Sequence, residues 1–111
     1  MDSSTYKEFL ENFSSVLSSI IASNKEQIFT HLTTIERLEG WLVDGNVNLE
    51  QLNNIEFSDN PAANDMLSLH MKYVNAMQGL HEMHIRQYKK MISDLESENE
   101  RLMSLIDMAS N

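Results

Sequence analysis

Apolar side chains recur along the first part of the chain at spacings of three and four: Phe9, Phe13, Val16 and Ile20, then Ile28, Leu32, Ile35, Leu38 and Leu42. That is the period of an amphipathic helix. Thr5 followed by Glu8 has capping-box spacing, in which the hydroxyl accepts from a first-turn amide and the carboxylate reaches back, so the first helix is placed at 5–42. Ser23 with Glu26 repeats the capping spacing and Asn24 interrupts the apolar run, so a kink or short break at 22–24 is the alternative to one continuous helix, the favoured reading. Beyond Trp41 and Leu42, Asp44-Gly45-Asn46 carries turn chemistry and opens a connector over 43–60, in which Asn48 to Leu52 makes at most one helical turn. Asn60 as N-cap with Pro61 at the first helical position starts a second helix, because proline lacks only an amide hydrogen that would be unpaired there. From Ala62 onward there is no further Pro and Gly79 is the one Gly, so a long helix is expected over 61–109. At 1.5 Å per residue it extends about 72 Å, far beyond the diameter of a small globule, and needs a partner helix.

Written in heptads, the long helix carries Met71, Gln78, Ile85, Ile92, Asn99 and Ile106 at a and Val74, His81, Tyr88, Leu95, Leu102 and Ala109 at d. β-branched Ile at a, Leu at d and one Asn at a suit parallel two-stranded coiled coils, where a buried Asn pairs with its twin and fixes register. The stretch from Leu95 to Leu102, within a zipper part at 85–109, resembles the leucine zippers of basic-zipper transcription factors. The resemblance implies an association device, with Ile85, Tyr88, Ile92, Leu95, Asn99, Leu102 and Ile106 as its oligomerisation seam. It carries no DNA binding with it: Lys72, Arg86, Lys89 and Lys90 are too few for a basic region, and Glu82 and Asp94 bracket the last three.

Zipper flanks are usually charged, yet g positions here hold His70, Met77, His84, Met91 and Leu105, and Met103 stands at e. Leu69, Tyr73 and Leu80 mark a second face on the upstream half, as expected if the first helix folds back against it. The expected fold is therefore all-α: a long helical hairpin with a C-terminal leucine-zipper-like parallel coiled coil, dimerising into a four-helix bundle. A trimer or tetramer is the competing arrangement, because apolar g positions widen the contact.

Composition narrows the function. The 111 residues are enough for one domain, and the formal charge of −9 disfavours direct contact with nucleic acid or an anionic membrane. No cysteine is present, which removes disulfides, thiolate metal sites and cysteine nucleophiles. No stretch is long and apolar enough for a membrane span or a secretory signal, so a cytoplasmic chain is expected. His81 and His84 lie on adjacent turns, but i, i+3 spacing alone makes no metal site, and Glu-x-x-His is absent. The serines at 14, 15, 18, 19 and 23 lack a nucleophile elbow. With no phosphate loop either, the chain reads as a non-enzyme with neither cofactor nor metal. The function expected is a protein–protein interaction module, a homodimer acting as adaptor, assembly factor or chaperone for an unidentified protein. Met77, Met83, Met91, Met103 and Leu105 are its candidate partner-binding residues, since flexible thioethers adapt to varied helical clients. The alternative is a small acidic inhibitor, of the phage- or plasmid-encoded type, that blocks a basic or nucleic-acid-binding protein.

Overall fold

The computed structural model describes residues 3–110, Ser3 by its backbone alone. The fold is all-α, two helices in a hairpin: α1, Ser3–Asn53, with 51 residues, and α2, Pro61–Ser110, with 50. Among the described residues no peptide bond is cis and no residue takes a positive φ.

Both ends of α1 differ from the sequence expectation. Ser3 and Ser4 are already helical, so Thr5 and Glu8 are an ordinary i, i+3 pair inside the helix rather than its cap. The helix also runs on through Asp44-Gly45-Asn46 to Asn53, which shortens the connector from 43–60 to 54–60. The reason lies across the hairpin. The Gln78 side chain of α2 donates from Nε2 to the Leu42 carbonyl at 2.8 Å and to Asn46 Oδ1 at 3.0 Å, and it lies where a Cβ on Gly45 would stand. Gly45 is thus a point of close approach between helices, and tertiary contact overrides local turn preference.

The connector is held by short polar side chains. After Asn53 the helix tightens, with the Asn54 amide donating to the Glu50 and Gln51 carbonyls and the Ile55 amide to the Leu52 carbonyl. Asn60 Oδ1 then accepts from the amides of Ala62 at 3.0 Å and Ala63 at 3.4 Å, which makes it the N-cap of α2 with Pro61 behind it. Asn64 reaches back to Ser58, accepting from its amide at 2.9 Å and donating to its carbonyl at 2.8 Å.

Two compact units make up the chain. A terminal unit joins the α1 segment ending at Leu32 to the α2 segment beginning at Lys89, and a hairpin unit spans Thr33–Tyr88. In the terminal unit α1 turns Leu10, Ser14, Leu17, Ile21, Asn24, Ile28 and His31 inward, and Leu17, Ile21 and Leu102 form a buried cluster with Ile106 packed on it. In the hairpin unit the inward row of α1 is Ile35, Leu38, Leu42, Gly45, Leu49 and Leu52. This corrects the stripe taken from the sequence: Phe9, Phe13, Val16 and Ile20 are exposed, one residue out of step with the buried row. Likewise Leu69, Tyr73 and Leu80 are exposed, because α1 packs on the a and d positions of α2 and not on its second face.

The three glycines, all helical, separate by environment. A Cβ at Gly40 or Gly79 would meet nothing within 4 Å. Gly40→Ala and Gly79→Ala should each raise stability by about 0.5–1 kcal/mol through lower unfolded-chain entropy, read by urea denaturation. Gly45→Ala should fail to do so, since it displaces the Gln78 amide, and should become stabilising in a Gln78→Ala background. An equal gain at all three glycines would show that Gln78 does not occupy that space.

Candidate interaction surface

Every a and d position of α2 from Met71 to Ala109 is buried or half-buried. Of the expected oligomerisation residues, Ile85, Ile92, Asn99 and Leu102 are buried and Tyr88, Leu95 and Ile106 half-buried, and this packing arises within one chain. Asn99 shows how. Its Oδ1 accepts from Asn24 Nδ2 at 2.9 Å, and its own Nδ2 donates to the Ile21 carbonyl at 3.4 Å. Both amides are about 6% exposed, so the hydrogen bond that the zipper pattern assigns to a twin Asn99 is made here to α1. In the hairpin unit the ring of His81, at d, packs beside Trp41 with centroids 5.3 Å apart and planes at 46°, its buried Nδ1 lacking a hydrogen-bond partner.

The candidate partner-binding side chains are all exposed: Met77, Met83, Met91, Met103 and Leu105. Met91 and Leu105 share the g edge in the terminal unit and Met103 holds the opposite e edge, while Met77 and Met83 belong to the hairpin unit. Met91 also lines a shallow groove with Gln27, His31, Asp94 and Leu95. A second groove, near the chain ends, is lined by Lys7, Leu10, Glu11, Ser14, Ala109 and Ser110. Among the described residues no group of three or more His, Asp or Glu gathers as metal ligands would, and no helix is long and apolar enough to cross a membrane.

The surface that sequence reasoning missed lies on α1 of the terminal unit. Tyr6, Phe9, Phe13, Val16 and Ile20 fall at spacings of three and four and stand open at 54, 54, 45, 55 and 37% of their full exposure. The Phe9 and Phe13 rings stack one turn apart, with centroids 5.8 Å apart and planes within 6°. The signal was present as two apolar rows offset by one residue, of which the more aromatic looks like the core. No family model, curated protein or solved structure matches this chain.

Proposed function

We propose that this chain is a non-enzymatic protein–protein interaction module, a helical hairpin that pairs with a second copy into a four-helix bundle and serves as an adaptor, assembly factor or chaperone. The observation that carries the reading is the apolar surface a single copy leaves open. Tyr6, Phe9, Phe13, Val16 and Ile20 on α1 and Leu69, Tyr73 and Leu80 on α2 all stand exposed. They lie on faces that the hairpin does not use. Contiguous rows of exposed apolar side chains mark association surfaces. Each helix of a four-helix bundle contacts two neighbours and so needs an apolar face toward each. Pairing through the a and d seam of two α2 helices would first expel α1 from those side chains, so the second faces are the ones available.

Light scattering at micromolar concentration should give twice the 12.8 kDa chain mass with a strongly helical circular dichroism spectrum. The mass should hold between about 0.05 and 0.5 M salt, because apolar contacts are little screened. A single-chain mass throughout would overturn the homodimer.

The charge of −9 favours a second reading, an acidic inhibitor that covers a basic protein surface. Salt separates the two. Charge-led binding to a basic protein weakens steeply over that salt range, whereas apolar docking does not.

A further inference from the structure

We infer that the α1 stripe of Tyr6, Phe9, Phe13, Val16 and Ile20 is the seat of a second copy of this chain, which lies antiparallel across it about a two-fold axis at Phe13. The inference rests on the homodimer proposed above and names its contact, in which the four helices run side by side only where 3–23 of one α1 overlaps the same segment of its twin. Three observations select this occupant and this orientation.

The first is charge. Among 25 charged residues in the chain, none falls between Asn12 and Asn24, thirteen residues that contain the distal half of the stripe. A chain carrying −9 repels itself over most of its surface and can approach a second copy most closely where it carries no charge. A basic partner would be drawn to the acidic surfaces instead. The second is area. At their observed exposures the five side chains offer roughly 450 Å² of apolar surface, with a fully open aromatic counted at about 200 Å². Wholly covered, that area would be the apolar three-fifths of an interface of about 750 Å² per partner, near the standard size of a stable contact.

The third is register. A two-fold contact sets each residue against its counterpart reflected through the axis. With the axis at Phe13, Phe13 meets its own twin and Tyr6 is level with Ile20 of the second copy, while Phe9, level with the inward-facing Leu17, meets the neighbouring Val16 of the second copy. Each large ring outside the central layer then faces a smaller aliphatic side chain, which lets the layers interdigitate. The charged residues of the first turns come to rest opposite serines: Lys7 near Ser19, Glu8 near Ser18 and Glu11 near Ser15 of the second copy. A parallel pairing would instead set Glu8 and Glu11 level with their own twins, which is destabilising for like charges.

The stripe is exposed in a single copy, so acidic substitutions there leave the hairpin core untouched. Scattering mass and helicity are measured for the parent and for Phe9→Asp/Phe13→Asp. The parent should show two chain masses, and the variant one chain mass with helicity retained, its self-affinity reduced at least about a hundredfold. A variant that stays dimeric overturns the stripe while leaving the homodimer standing. A parent of single-chain mass overturns both, and if that parent binds phosphatidylcholine vesicles through the stripe, a lipid surface is the occupant. Orientation is read with cysteines, since the chain has none of its own. Under mild oxidation Phe13→Cys should link two copies, as should Tyr6→Cys/Ile20→Cys. Tyr6→Cys alone should not, because its twin sits about 20 Å away and a disulfide needs Cα atoms within about 7 Å. Linkage of Tyr6→Cys alone as readily as Phe13→Cys, or no linkage of Phe13→Cys, overturns the antiparallel contact.

Discussion

Leu102→Ala should lower the stability of the folded chain by about 2–4 kcal/mol, against less than about 0.5 kcal/mol for Ser97→Ala, as read from urea denaturation midpoints at constant slope. Leu102 sits in the buried cluster with Leu17 and Ile21, and Ile106 packs on it, so truncation leaves a void between two helices. Ser97 is exposed on the outer face of the same helix. Leu95, also at d, is only half-buried beside the groove with Gln27 and Met91, and Leu95→Ala should fall between the two. Leu17→Ala should cost about as much as Leu102→Ala, and the double variant should cost less than the two together, because both remove the same packing layer. Strict additivity would mean that Leu17 and Leu102 do not share a core. A loss at Ser97 equal to that at Leu102 would mean that the inward face of α2 is elsewhere.

The long helix was legible because its signals agree: no breaker between Ala62 and Ala109 except Gly79, a cap at Asn60-Pro61, and Ile, Leu and Asn at the heptad positions that the fold buries. The first helix was legible as a helix but not in its facing. Its inward row contains Ser14, Asn24, His31 and Gly45, so it scores as less apolar than the neighbouring row of Phe9, Phe13, Val16 and Ile20. Hydrophobic periodicity picks out the greasier row, whereas packing picks the row that fits across the hairpin. Its end was misplaced for a related reason. Asp44-Gly45-Asn46 carries turn chemistry when read locally, and only the Gln78 amide on the opposite helix shows why a glycine is wanted in mid-helix. A heptad pattern states that a helix is paired, not with which helix. An a-position Asn is satisfied by a twin or by Asn24, and nothing in its own surroundings along the chain distinguishes them.

That ambiguity has a measurable consequence. If Asn99 paired with its twin across a dimer axis, a single Asn99→Leu substitution would replace both partners at once, and removal of a buried polar pair would raise stability. In the hairpin its Oδ1 accepts a hydrogen bond from Asn24 Nδ2, so Asn99→Leu leaves the Asn24 amide buried at 6% exposure with its partner gone. The expected result is a loss on the order of 1–3 kcal/mol, the cost of an unsatisfied buried amide less the gain from a larger apolar side chain. Asn24→Leu should lose a similar amount, with the Asn99 amide retaining only the long contact to the Ile21 carbonyl. Asn24→Leu/Asn99→Leu should recover both losses and match or exceed the parent, since two leucines of similar volume extend the core formed by Leu17, Ile21 and Leu102. The double-mutant cycle by urea denaturation therefore carries a coupling of opposite sign to the single effects. A gain in stability from Asn99→Leu alone would assign Asn99 to a second copy and require the α1 segment to lie elsewhere, whereas two losses rescued by the double variant fix the pairing within one chain.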